Sequence, residues 1–331
     1  MFNNQYNNNN FMNYNLINNN TFNNLNIYNH LFYNNNINNT WSFISKHLNL
    51  NDFIEIKNLG NGRNGSFIKV QNKIDKKYYA MKKIKKIKNK EKEILYKLTK
   101  SKENSEILDK IIKLYYDFED DKYRYLIMEY CDGVNLLYLN KAYLKMKETN
   151  PNYHIPEKII IYILKQMLEI LDFLHNKYNI IHRDIKPNNI LIDKHYKVKL
   201  IDFGLSKYLI GDNNNNLVTK NSYKGSIKYV PPEILYNNPP KYYDFRFDIF
   251  SLGFTIYNIM FNNNLPKNTI KSNNKYNRIE NHINNNFYSE ELIRYVQQLY
   301  SDDIKNRYFA NDALDKLNII INSKKIKFDD I

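Results

Sequence analysis

Cysteine is nearly absent from this chain. Cys131 stands alone, so no internal disulfide can form, which fits a reducing compartment. Long apolar runs are also missing. None approaches the roughly 18 residues that a membrane-spanning helix needs, and no secretory hydrophobic region opens the chain. The expectation is an intracellular protein, cytoplasmic or nuclear, with no membrane segment. Acidic residues are in deficit: 49 Lys and Arg face 34 Asp and Glu, a net charge of +15. A basic balance can mark nucleic-acid, membrane-surface or acidic partners. Here Lys, Asn, Ile and Tyr are abundant together, as AT-rich codons would make them, so nucleic acid is not expected as a partner. Clustered metal ligands are missing too. His175 and His182 have no Cys or His at ligand spacing, which points to core packing.

Residues 1–40 are half asparagine, with single aromatic and aliphatic residues and neither a 3.6 nor a 2.0 period. Such a segment is expected to be a disordered tail, although Asn-rich tracts can associate through β-structure. Trp41 to Leu50 reads as a short ordered lead-in, covering 41–51. Asparagine runs at 212–216, 262–264 and 284–286 read as loop expansions. A length of 331 residues suggests two domains or one bilobal unit.

What is present is concentrated between Ile181 and Leu205. The stretch holds His182-Arg183-Asp184, then Lys186 and Asn189, then Asp202-Phe203-Gly204. Ile190–Ile192 and Val198–Ile201 read as two short strands, a hairpin that brings Asn189 and Asp202 to one end. The pattern resembles the catalytic loop and metal-binding loop of a eukaryotic protein kinase. Phosphoryl transfer asks a protein for positioning and charge neutralisation more than for covalent work. The resemblance implies that Asp184 orients a substrate hydroxyl and takes its proton. Lys186 would reach the transferring phosphate, and Asn189 and Asp202 would hold Mg2+.

Upstream, Phe53 to Leu59 alternates like a strand, Gly60-Asn61-Gly62-Arg63-Asn64-Gly65 follows, and Ser66 to Val70 reads as a second strand. A lone G-x-G-x-x-G also fits a dinucleotide site, but that site wants a helix after the third glycine. A strand there favours a flap over phosphates, with Gly60, Gly62 and Gly65 letting backbone amides approach. Tyr78 to Lys82 reads as the third strand and matches the kinase strand whose lysine pairs with the α- and β-phosphates, here Lys82. Asn89 to Thr99 has a helical pattern and offers Glu91 and Glu93 as partners for Lys82. Glu91 stands seven residues before Leu98, as in the family, and is preferred. Only eight residues separate Lys82 from Glu91, which implies a helix shortened at its N-terminus.

By resemblance, Ala80 and Leu191 join the nucleotide contacts. Phe67 replaces the usual valine over the adenine and narrows the roof, and Asn64 stands in for an aromatic tip residue. Ile111 to Phe118 and Tyr125 to Met128 read as strands four and five. Glu129 to Gly133 looks like the hinge, with Met128 guarding the pocket and backbone groups of Glu129 and Cys131 facing the base. Pro156 to His175 carries an amphipathic helical stripe at 160, 163, 164, 167, 171 and 174.

Further on, Gly225 to Glu233 resembles the end of an activation segment, with Pro231 replacing Ala. Glu233 is expected to pair with Arg307 of Asp303-Ile304-Lys305-Asn306-Arg307. Asp248-Ile249-Phe250-Ser251-Leu252-Gly253 resembles the start of the central lobe helix, where Asp248 braces the catalytic loop. Arg183 is of the kind that an activation-segment phosphate satisfies. Ser222 is the expected site, with Thr219 and Tyr223 as alternatives. Lys186 and Ser226 resemble the serine/threonine branch.

The resemblance thus implies an α+β, bilobal fold over 52–322. An antiparallel five-stranded sheet with one main helix would fill 52–129, the hinge 129–133, and a mostly helical lobe 134–322, before a tail at 323–331. It implies ATP and Mg2+ as cofactors and proteins with Ser or Thr acceptors as substrates. Arginine-directed substrates are not expected, because Asn135, Asn188 and Lys228 occupy positions that are acidic in that branch. A pseudokinase scaffold is the main alternative. It would usually lack Lys82, Asp184, Asn189 or Asp202, and all four are present. A small-molecule kinase would lack the Pro-Pro-Glu element and the Asp248 helix.

Overall fold

The computed structural model describes residues 48–62, 65–86, 90–209, 226–235, 244–261, 287–329 and 331. The Asn-rich tail, most of the lead-in, Asn64, the three asparagine loops, Thr219, Ser222 and Tyr223 lie outside the described residues.

The first half builds β1 (Phe53–Gly62), β2 (Gly65–Asn72), β3 (Tyr78–Lys85), α1 (Glu91–Thr99), α2 (Ser105–Asp109), β4 (Leu114–Glu119) and β5 (Tyr123–Glu129). The five strands form one antiparallel sheet in the order β1-β2-β3-β5-β4. Side chains alternate across it, as strand geometry requires. Ile84, Leu114, Leu126 and Met128 join Ile94, Leu95 and Leu98 of α1 in the main core. On the opposite face, Phe53, Val70, Tyr79, Met81, Tyr116, Tyr125 and Ile127 form a second cluster.

Several strand ends differ from the sequence expectation by a few residues, and β1 and β4 differ most usefully. β1 runs on through its glycines to Gly62, with register shifts between Glu55 and Lys57 and between Asn58 and Gly60. β4 begins at Leu114 rather than Ile111, because the preceding residues pair with the other lobe. Ile112 N–H donates to Leu200 O at 3.0 Å and Leu200 N–H to Lys110 O at 2.8 Å. Helix α1 starts at Glu91, with Lys90 as an N-cap that makes no side-chain cap bond, which matches a helix shortened at that end.

The second half contains β6 (Val134–Asn135), α3 (Leu136–Thr149), α4 (Glu157–Asp172), β7 (Ile180–Ile181), β8 (Ile190–Ile192), β9 (Val198–Leu200) and β10 (Lys207–Tyr208). It continues with α5 (Pro232–Leu235), α6 (Arg246–Met260), α7 (Glu290–Leu299) and α8 (Ala310–Ser323). Pro156 is the N-cap of α4. The expected stripe of α4 is buried, but so are Ile161, Leu168 and Ile170. α4 is therefore a central helix covered on more than one side. It ends at Asp172 in a π turn, Phe173–Lys177, instead of running regularly to His175. Residues after α8 pack rather than trail: Lys324 pairs with Glu157 at 2.8 Å and Phe328 stacks on Tyr162 at 4.9 Å. Among the described residues no helix is long and apolar enough to cross a membrane.

Candidate active site

Lys82 stands on the inner face of β3, fully buried, and α1 brings Glu91 to it. The Lys82 Nζ–Glu91 Oε1 distance is 2.5 Å, and Lys82 Nζ also donates to Asp202 Oδ1 at 2.7 Å. Glu91 is buried beside Lys82, and Glu93, two residues on, is exposed. Phe67 lies opposite Lys82 in the β2–β3 register, with the ammonium 5.2 Å from its ring centre. Burial opposes the charge on Lys82, but the two carboxylates hold its pKa above the ordinary value. Burial also works against Asp202, yet Lys82 keeps that carboxyl below the usual range. Burial pushes the Glu91 carboxyl up. One ammonium between two carboxylates leaves a charge of about −1 in a dry site, which favours an incoming cation.

The β8–β9 hairpin places the other loop. Ile190 pairs with Leu200, and Ile201 N–H donates to Asn189 O at 3.0 Å, so Asn189 and Asp202 flank one end. Asp202 takes a positive φ of 62° and receives Gly204 N–H at 3.3 Å on the same oxygen that accepts from Lys82. Asn189 Nδ2 donates to Asp184 O at 2.8 Å and to Asp184 Oδ2 at 2.9 Å. With the amide nitrogen so engaged, Oδ1 is the Asn189 atom left to act as a donor to a metal. An amide oxygen and a carboxylate are hard ligands. Among the described residues no group of three or more His, Cys, Asp or Glu could hold an ion. This sparse oxygen set fits Mg2+, which keeps waters and shares its shell with substrate phosphates.

Asp184 Oδ2 also accepts from Lys186 Nζ at 2.7 Å, and Lys186 Nζ reaches Ser226 Oγ at 3.2 Å. The loop that carries them is braced from α6. Asp248 is fully buried. It accepts His182 N–H and Arg183 N–H at 2.8 Å each, and it pairs with His175 Nε2 at 2.9 Å. Arg183 has a φ of 64°, and its Nε donates to Leu205 O at 2.7 Å, so this guanidinium is anchored on the segment after Gly204. Glu233 and Arg307 form a two-pronged pair at 2.8 and 2.5 Å.

Around the hinge, Met128 is buried and pairs with Ala80. Glu129 N–H donates to Lys113 O at 2.9 Å, so a base could meet its backbone only through the carbonyl. Burial pushes the Cys131 thiol up to about 12, which makes it a poor nucleophile. Leu191 lies in β8 opposite Lys199. At Gly133 an added Cβ would sit 2.6 Å from Ile192 O, and at Gly65, where φ is 138°, it would sit 2.3 Å from Lys83 O. Gly60 and Gly62 end β1 as it turns toward β2, with Gly62 paired to Gly65.

This arrangement lies within a recognisable family. Residues 53–317 match the protein kinase domain. The chain belongs to the protein kinase family. Named serine/threonine kinases are among its relatives. A probable serine/threonine-protein kinase of Dictyostelium discoideum is 30% identical over 304 residues, 79% of this chain and 62% of that protein. Serine/threonine-protein kinase PKH1 of Saccharomyces cerevisiae is 38% identical over 159 residues, 45% of this chain and 19% of that protein. Rho-associated protein kinase 1 of Homo sapiens is 28% identical over 221 residues, 63% of this chain and 15% of that protein. The chain thus spans 62% of the first relative's length and under a fifth of the other two.

Three features of this kinase domain escape local pattern. Lys207 lies near Arg183 and Lys90; burial, then those two cations, hold its pKa down. Lys199 reaches the hinge residue Glu129 at 2.5 Å. His175 shares Asp248 with the catalytic loop. No motif spacing announces these contacts, because each joins residues far apart in sequence.

Proposed function

We propose that this chain is an ATP-dependent serine/threonine protein kinase, with Asp184 as the base. The observation that carries it is one site in which Lys82, Glu91 and Asp202 meet, while Asp184, Lys186 and Asn189 interlock beside them. Glu91 holds the Lys82 ammonium where it can bind the α- and β-phosphates of ATP. Asp184 orients a Ser or Thr hydroxyl and accepts its proton as the γ-phosphoryl group moves to that oxygen. Lys186, bonded to Asp184, neutralises charge on the transferring group. Asn189 and Asp202 would hold Mg2+, which supplies charge neutralisation across the phosphates. Glu129 and Cys131 offer backbone groups to the adenine, beneath Phe67 and above Leu191, with Ala80 and Met128 closing the slot. A catalytically weak scaffold is the competing reading; the complete set of charged groups speaks against it. The test is transfer from ATP to a peptide library, with Lys82→Met and Asp202→Asn as controls that keep the circular dichroism of the parent. Phosphorylation retained by Asp202→Asn would overturn the mechanism.

Activity is regulated through the segment between Gly204 and Glu233. Burial first, and then the nearby cations Arg183 and Lys90, hold the Lys207 pKa down, so an anion among the three would relieve like-charge repulsion. A phosphate on Ser222, or else on Thr219 or Tyr223, is the group we assign to them. Mass mapping of active protein should find phosphate between 217 and 226; activity with an unmodified segment would refute the assignment.

A further inference from the structure

The sheet of the first lobe is apolar on both faces. An antiparallel sheet with one face in water alternates apolar and polar residues. Here the face away from α1 carries Phe53, Val70, Tyr79, Met81, Tyr125 and Ile127. Val70, Met81 and Ile127 are 0% exposed and Tyr125 is 2% exposed. A single layer of side chains standing on a sheet leaves its outer ends in water, so burial this complete requires a second layer. Two of its buried tyrosine hydroxyls are already satisfied from within the sheet's own turns. Tyr79 donates to Asp75 Oδ2 and Tyr125 to Asp120 Oδ2, each at 2.6 Å. The cover therefore meets a mostly apolar surface.

Among the described residues of this cluster, Leu48 is the one that does not belong to the sheet, and it is 6% exposed. Leu48 is also where the described chain begins, with 47 residues before it. The stretch directly ahead reads Trp41-Ser42-Phe43-Ile44-Ser45-Lys46-His47, a break from the asparagine-rich composition of 1–40. Trp41, Ile44 and Leu48 are spaced to share one helical face. Seven residues reach about 10 Å as a helix and about 24 Å when extended. Either spans a good part of a five-stranded sheet, about 19 Å across at a strand spacing of about 4.8 Å.

We propose that Trp41–His47 docks on the outer face of this sheet, with Trp41 and Ile44 completing the layer that Leu48 begins. The segment is then part of the kinase lobe rather than a lead-in. Its cover stiffens β3 from behind, where Tyr79 and Met81 alternate with Ala80 and Lys82. This inference is independent of the proposed activity.

Trp41 is the only tryptophan in the chain, so its fluorescence reports this segment alone in the full-length protein. The native protein should emit to the blue of the urea-unfolded chain, with acrylamide quenching reduced several-fold. Phe118→Ser and Tyr123→Ser, partly buried at the rim of the face, should each shift the emission to the red. A Trp41→Ser/Ile44→Ser double variant in the full chain should bind a hydrophobic dye more strongly and melt earlier. Circular dichroism and ATP-induced thermal shift check that each variant is folded. Native emission like that of the unfolded chain would overturn the proposal. So would rim variants that leave the emission unchanged, or a double variant with unaltered dye binding and melting. Burial that appears only with dimers in sedimentation would also overturn it, since a second copy would then be the cover.

Discussion

Glu129, the last residue of β5, and Lys199, in the middle of β9, meet at 2.5 Å in a bond that crosses between the lobes behind the hinge. A second crossing lies beside it, where Lys110 reaches Glu169 of α4 at 2.8 Å. Glu129 Oε2 makes no hydrogen bond, so Lys199 on the other oxygen is what meets this carboxylate. Lys199 also stands three residues before Asp202. Lys199→Met should therefore cost up to about 1 kcal/mol of stability, because both side chains of the pair keep some access to water. It should also raise the KM for ATP more than it lowers kcat, because the lobe angle sets the nucleotide cleft. Restoring stability in a Glu129→Gln/Lys199→Met double variant would assign the loss to the stranded carboxylate. Full stability in Lys199→Met alone would remove the pair from the account.

Two glutamates compete in sequence for Lys82, and only one of them is buried against it. A charge-assisted hydrogen bond is worth about 1.5–3 kcal/mol, and about 1.4 kcal/mol is a factor of ten in rate. Glu91→Gln should thus lower kcat/KM by about tenfold to a hundredfold, while Glu93→Gln should stay within about twofold of the parent. Equal losses in the two variants would show that α1 sits differently in the working enzyme.

Much of this was legible locally. The period-two strands, the hairpin that flanks Asn189 and Asp202, and the helical stripe of α4 all follow from side-chain alternation between neighbours. The β4 boundary did not, because Ile111 and Ile112 are as apolar as strand residues but pair with Leu200 in the other lobe. The π turn at Phe173 was invisible for a similar reason: the stripe continues to Leu174, which is buried either way. Phe328 on Tyr162 joins residues 166 positions apart (328 − 162), and no periodicity spans such a gap. The kinase motifs pointed to Asp248 as a brace, but its bond to His175 depends on how α4 ends.

His182 and Asp248 give stability a defined pH dependence. Burial holds the His182 imidazole below its ordinary value near 6.5, against the attraction of Asp248. Burial works against the Asp248 carboxylate, but the His175 hydrogen bond leaves its pKa below 3.8. Both pKa values are depressed on folding. Each group therefore contributes stability that is present above its unfolded value and lost as pH falls through its folded value. The His182 contribution starts to fade below about pH 6.5, at up to about 1.4 kcal/mol per pH unit. The Asp248 contribution fades only below about pH 3.8. Urea midpoints from pH 8 to 5 should decline in the parent and flatten in His182→Gln. An unchanged slope in that variant would place the titration elsewhere.

We propose that substrate choice turns on three positions where a carboxylate is missing. Asn135 spends its side chain as the N-cap of α3, accepting Tyr138 N–H at 2.8 Å. Asn188 is exposed in the turn before Asn189, and Lys228 is exposed two residues after Ser226. A guanidinium on an incoming peptide would find amides and an ammonium where an arginine-directed kinase offers acids. Each charge-assisted bond so lost is worth about 1.5–3 kcal/mol, an order of magnitude or more in preference per site. The chain's net charge of +15 works in the same direction by drawing acidic segments, an attraction that fades as salt shortens the screening length. Asp132, exposed within the hinge, is the acid we test as a replacement for them. Asp132→Asn should leave the peptide profile unchanged. A positional-scanning library should show neutral or acidic residues favoured three positions before the acceptor, with the acidic preference shrinking between 50 and about 500 mM salt. An arginine peak at that position would contradict the charge argument, and its loss in Asp132→Asn would locate the acid responsible.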